Sequence, residues 1–150
     1  MAFAIFTKET DLWWRSGPKF RIAGKQPGVV RFEPWLGGRF MEEVESPSGP
    51  QVFTMGRITV WRPPELFQFE WRGVNFSPAK VRVQVAFEPV PTTGTRVTVT
   101  HSGWAKLRAA HPVRHGKEGP SLIRMVGFWW GDLMTSFREL AAERLDRVGS

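Results

Sequence analysis

The chain has 150 residues, 41% of them hydrophobic, and a formal net charge of +7 at pH 7. That length reads as one domain over residues 1–150, long enough to bury about two-thirds of its unfolded surface. No apolar run approaches the roughly 18–20 residues of a membrane helix, the start Met1–Lys8 lacks the charged and apolar regions of a signal peptide, and zero cysteines exclude disulfides, which fits a reducing cytoplasm.

The basic residues are spread along the chain. The densest stretch, Lys106 to Lys117, contains Pro112 and Gly116 and reads as a loop, so nucleic acid is not the expected partner. The stronger signal is eight tryptophans and twelve phenylalanines with no tyrosine. Such rings either fill a core or line a cavity for an apolar guest.

Thr7 to Arg15 reads as a short helix capped by Thr7, with Leu12 and one of Trp13 and Trp14 on its apolar side. Gly17-Pro18 ends it, and Ser16 to Gly28 is a polar connection. The period then changes to two. Val29 to Pro34, Arg39 to Glu45, Gln51 to Trp61, Leu66 to Trp71, Val81 to Glu88 and Thr95 to Trp104 read as six strands. Leu36-Gly37-Gly38 supplies a tight turn, and Pro63-Pro64 stops the third strand. Short turns between successive strands predict an antiparallel meander with one face covered. Pro120 suits the start of a long helix. Leu122, Val126, Trp129, Leu133, Phe137 and Leu140 form its apolar stripe, and Gly127 and Gly131 suggest close packing. Glu143 and Arg147 stand at i,i+4 on the polar side. The fold class is therefore α+β, a curved sheet of about six strands covered by a long C-terminal helix, with a short N-terminal helical segment.

A curved sheet under one helix encloses space. Trp13, Phe69, Trp71, Val126, Trp129, Leu133 and Phe137 either line that space or fill it. His101, in phase with Val97 and Val99, points inward and is either a ligand contact or a buried histidine satisfied by a neighbour. Ser102 is next to it on a strand and so faces away, which removes a serine–histidine pairing. Arg39 either reaches the cavity mouth, to hold a carboxylate, or stands outward in a salt bridge. Glu33, Glu42, Glu43 and Glu45 cluster on the first hairpin, where paired carboxylates could do acid–base work, but they read as either solvated or paired with Arg31 and Arg39. His111 and His115 lack a third ligand, so no metal or other cofactor is expected. No catalytic residue is identified, and the chain reads more readily as a binding protein than as an enzyme.

Four segments also carry a family resemblance. Ala2-Phe3-Ala4-Ile5-Phe6-Thr7 through Trp13-Trp14, then Leu36-Gly37-Gly38-Arg39-Phe40, then Gly56-Arg57-Ile58 through Pro63-Pro64-Glu65-Leu66 to Trp71, and Thr95-Arg96-Val97 through Trp104 follow in order. Together they resemble the SRPBCC (START-like, helix-grip) superfamily, and within it the domain at the C-terminus of the activator of heat shock protein 90 ATPase. The resemblance implies an apolar small-molecule ligand, a chaperone as an alternative partner, or polyketide cyclase-like chemistry as a third possibility. Members of that family begin with a strand that pairs beside the last one. Here the chain begins at the helix, so Thr95 to Trp104 is expected to offer an open edge to a second copy, unless the natural start lies upstream.

Overall fold

The computed structural model describes residues 1–17, 20–21, 28–71, 81–91, 94–102 and 119–149, leaving aside the side chains of 119–123, 148 and 149. Two short helices open the chain: α1 (Ala2–Lys8) and α2 (Thr10–Trp13). Thr7 is not a cap. It lies inside α1, and its Oγ1 donates to the Phe3 carbonyl at 2.8 Å. Six strands follow: β1 (Gly28–Phe32), β2 (Arg39–Val44), β3 (Gln51–Arg62), β4 (Leu66–Glu70), β5 (Arg82–Val90) and β6 (Gly94–Ser102). The last element, α3 (Gly119–Gly149), has 31 residues and is about 46 Å long.

Each strand pairs antiparallel with the next, in the order β1-β2-β3-β4-β5-β6. The twelve-residue β3 bends twice. Its register with β2 shifts between Phe40 and Met41, and its register with β4 shifts between Ile58 and Val60. Such bulges increase local twist, and the sheet curls into an open half-barrel. Gly56 sits in this bend, where a Cβ would lie 1.6 Å from the Glu70 carbonyl oxygen. Only glycine allows the backbones to approach that closely.

Alternation on the strands builds the concave face. Phe67 and Phe69 of β4 are fully buried, as are Val83 and Val85 of β5. α3 lays Trp130, Leu133 and Phe137 across that face, and α1 adds Phe3, Ile5 and Phe6. Arg144 of α3 meets Glu9, which joins α1 to α2, at 2.6 Å. On the solvent side of α3, Glu143 and Arg147 pair at 3.0 Å.

The two edges of the sheet differ. On β1, the Val30 amide donates to Asp11 Oδ1 at 2.9 Å, and Arg21 reaches the Gly28 carbonyl. On β6, all nine residues are in continuous register with β5, and β6 stands last in the sheet.

The glycines of α3 correct the expectation of close packing. A Cβ at Gly127 or Gly131 would meet nothing within 4 Å. Both positions are exposed, so they carry the entropy cost of glycine in a helix without a packing return. Gly127→Ala and Gly131→Ala should each stabilise the fold by about 0.5–1 kcal/mol, read as a raised midpoint in urea unfolding. Among the described residues, no helix is long and apolar enough to cross a membrane.

Candidate functional site

One end of the interior is solid. Trp13 is 1% exposed and packs against Phe6, Trp14 and Phe137 at ring distances of 4.5, 5.4 and 5.5 Å. Its indole N–H donates to the Phe6 carbonyl at 3.3 Å. Phe69, Leu133 and Phe137 belong to the same buried cluster. These four expected lining residues are core.

The other end is looser. β4 stops at Glu70, and the Trp71 amide then donates to the Val81 carbonyl at 3.0 Å, so Trp71 extends the β4–β5 pairing by one residue at this end of the sheet. β6 brings His101 opposite Val83. α3 brings Val126, Trp129 and Trp130 across from both strands. Trp71, His101, Val126 and Trp129 are half-buried. The Trp71 and His101 rings stack at 5.6 Å with a 22° tilt, and Trp129 meets the Trp71 edge at 5.1 Å. Trp14 and Phe20 close a third side. The Trp14 indole donates to the Phe20 carbonyl at 2.9 Å, and the Phe20 ring stacks on Trp129 at 5.6 Å.

Trp130 is the residue that the sequence reading missed here. It is 6% exposed, more deeply placed than Trp129. Its indole Nε1–H donates to His101 Nδ1 at 3.0 Å. Val126, Trp130, Leu133 and Phe137 obey the same three-and-four spacing as the stripe drawn through Trp129, so periodicity alone admits both rings.

Burial pushes the His101 imidazole down from 6.5 to about 3. A neutral imidazole of that basicity hydrogen-bonds, but it is far from the near-neutral value that suits a general base. Arg39 is not brought to this site. It forks onto Glu33 at 2.7 and 3.2 Å from the face of β2 opposite Phe40, and its hydrogen bonds hold the Glu33 carboxyl down at about 2. Arg31 pairs with Glu43.

Glu33 and Glu43 thus take the paired alternative, whereas Glu42 is not solvated. It is 0% exposed. It pairs in register with Val30, and two residues along the strand from Phe40 it shares the inward face.

Arg21 was also missed. Its side chain is 8% exposed, and it donates to Asp11 Oδ1 at 2.7 Å and to the carbonyls of Asp11, Trp14 and Arg15. This fork locks the Trp14 segment beside β1. Among the described residues, no group of three His, Asp or Glu side chains is placed to hold a metal ion. His111, His115 and Trp104 lie outside the described residues.

Comparison with known proteins places this geometry in a family. Residues 1–120 match the family described as Activator of Hsp90 ATPase homolog 1-like protein, which lies within the SRPBCC superfamily. The fold is similar to the crystal structure of a protein from Nitrosomonas europaea, with a TM-score of 0.56 and 17% sequence identity over 97% of this chain and 87% of the other. No functionally curated protein matches the chain at a significant level.

Proposed function

Because the chain belongs to the Activator of Hsp90 ATPase homolog 1-like family, we propose that it acts as a small-molecule binding module of the helix-grip type. The guest is apolar or amphipathic and sits at the half-buried end, against Trp71, Trp129, Val126 and His101. The observation that supports this is the contrast in burial along the interior. Trp13 and Phe69 are fully buried, whereas Trp71, Trp129 and His101 are only half-buried. Large aromatic surface left partly open beside one polar ring is the composition of a ligand site.

The test is native mass spectrometry of freshly purified protein beside its denatured mass. A retained small-molecule mass is expected, and Trp129→Ala should release it. The same substitution should cost well under the about 3–5 kcal/mol of a packed ring. A full-sized stability loss with unchanged ligand retention would contradict the binding role.

The family description favours a second reading, in which the domain contacts an Hsp90-type chaperone. Stimulation of that chaperone's ATPase by the purified chain would support it, and no change in turnover would sink it. We also place the contact for a second copy at the β6 edge. Asp11 and Arg21 meet polar groups along β1, whereas β6 pairs only with β5 among the described residues. Unprotected edges recruit further strands. Sedimentation velocity across a wide concentration range should show a dimer, and a monomer throughout would remove this contact.

A further inference from the structure

We propose that the hairpin between β1 and β2 is a membrane-docking tip, which sets the Trp35 indole and the Leu36 side chain into the headgroup region of an anionic bilayer, with Arg57 against the lipid phosphates. This surface is separate from the guest site and does not rest on it. β1 runs the same way as β5, so the tip lies at the end of the sheet opposite the Trp71–Val81 contact.

Two large apolar side chains stand side by side in water here. Trp35 is 54% exposed and Leu36 is 66% exposed. The turn that carries them is tightly built. The Trp35 amide donates to the Glu33 carbonyl at 2.9 Å, and the Gly38 amide donates to the Trp35 carbonyl at 2.9 Å. The turn is also stitched to β3. The Gly37 amide donates to the Ile58 carbonyl at 2.9 Å, and the Ile58 amide donates to the Gly38 carbonyl at 2.8 Å. Gly37 takes a φ of 81°, which favours glycine. A Cβ at Gly38 would lie 2.1 Å from the Glu33 carbonyl oxygen. A backbone this fixed has already lost the freedom that docking would otherwise remove.

The charges around the tip decide what it docks on. Glu33 is met by Arg39 at 2.7 and 3.2 Å, and Glu43 is met by Arg31. Arg57 stands directly opposite Arg39 in the β2–β3 register. It is exposed and donates to the Gly37 carbonyl at 3.2 Å. Among the described residues it has no acidic partner. The tip therefore joins apolar surface to an uncompensated cation, on a chain of net charge +7. An anionic bilayer complements both features. Indoles favour the headgroup level, and each basic side chain near a charged leaflet adds attraction. A stable protein interface takes about 20–30 residues a side, which two apolar side chains and an arginine do not supply.

The test is flotation of the full chain with vesicles of phosphatidylcholine, alone or mixed with phosphatidylglycerol. The wild type should float with the mixed vesicles and hardly at all with the neutral ones. The double variant Trp35→Ala, Leu36→Ala keeps every charge and should bind the mixed vesicles at least about tenfold more weakly. Arg57→Gln should weaken binding about fivefold, the effect of one basic side chain at a charged surface. All three side chains are exposed, so these variants keep the fold, which circular dichroism verifies. Brominated acyl chains should quench a component of the bound wild type's tryptophan fluorescence. That component should be missing in Trp35→Phe, which retains a ring and still floats. A double variant that floats as well as the wild type would mean that charge alone holds the protein, and it would overturn the proposal. So would identical quenching in Trp35→Phe. A wild type that floats with neither vesicle would overturn it too, and would leave the tip to a protein partner or a second copy.

Discussion

Trp13→Ala is expected to destabilise the protein by about 3–5 kcal/mol, the range for emptying a packed aromatic site. Its ring is 1% exposed, with Phe6 and Phe137 at 4.5 and 5.5 Å. These neighbours come from α1 and α3, both packed on the sheet as well, so they close on the vacancy only in part. The indole N–H also donates to the Phe6 carbonyl, which would keep only the Thr10 hydroxyl as a side-chain donor. Against a total stability of about 5–15 kcal/mol, this loss is a large fraction of what holds the fold. Urea unfolding followed by far-ultraviolet circular dichroism should show the midpoint fall with little change in slope. A cost near that of an exposed site would mean that this end of the interior is not solid.

Acidification should produce the second large effect, and His101 should carry it. The folded imidazole sits at about 3, against 6.5 when free. Below pH 6.5 the unfolded chain takes up a proton that the folded chain refuses, so stability falls as the pH falls. The loss stops only near the folded value, about 3. Between pH 7 and pH 4.5 the difference amounts to about 2.5 kcal/mol. His101→Phe should remove this slope while keeping a ring against Trp71. Equilibrium unfolding at the two pH values checks it, and identical slopes in wild type and variant would mean that the imidazole is not insulated as described. The Glu33 carboxyl, held at about 2 by Arg39 against 4.5 when free, adds to the acid loss in the same direction, but equally in wild type and His101→Phe, so it cancels from the comparison.

Much of the architecture was legible because buried residues recur with the period of the backbone. Phe67, Phe69, Val83 and Val85 alternate in the sequence and lie buried on one face. Val126, Leu133 and Phe137 keep the helical spacing and pack on the core cluster. Readings failed where period was ambiguous or absent. Trp129 and Trp130 both fit the stripe of α3, and burial depth is set by the curve of the sheet beneath them. Glu42 is adjacent to Glu43, and composition suggested a wet cluster, yet strand alternation sets Glu42 on the Phe40 side. Arg21 stands in an irregular stretch with no period to read, and its importance lies in backbone carbonyls that only the folded chain assembles. Gly127 and Gly131 were read through composition as packing contacts. The helix face they occupy is exposed.

The ion pair between Glu9 and Arg144 spans 135 positions of the chain, and it sets an order of events during synthesis. Among the described residues the strands pair only with their sequence neighbours, so each hairpin closes as it emerges from the ribosome, after short loop searches. The first helix has no such opportunity. Its ring Phe6 rests against Phe137 at 5.3 Å, and that partner is made roughly ten seconds or so later at ordinary elongation rates. Phe3 meets Trp61, Phe67 and Phe87 once the strands have formed, but for those seconds Phe6 stands open on its α3 side, an apolar ring waiting on an unfinished sheet.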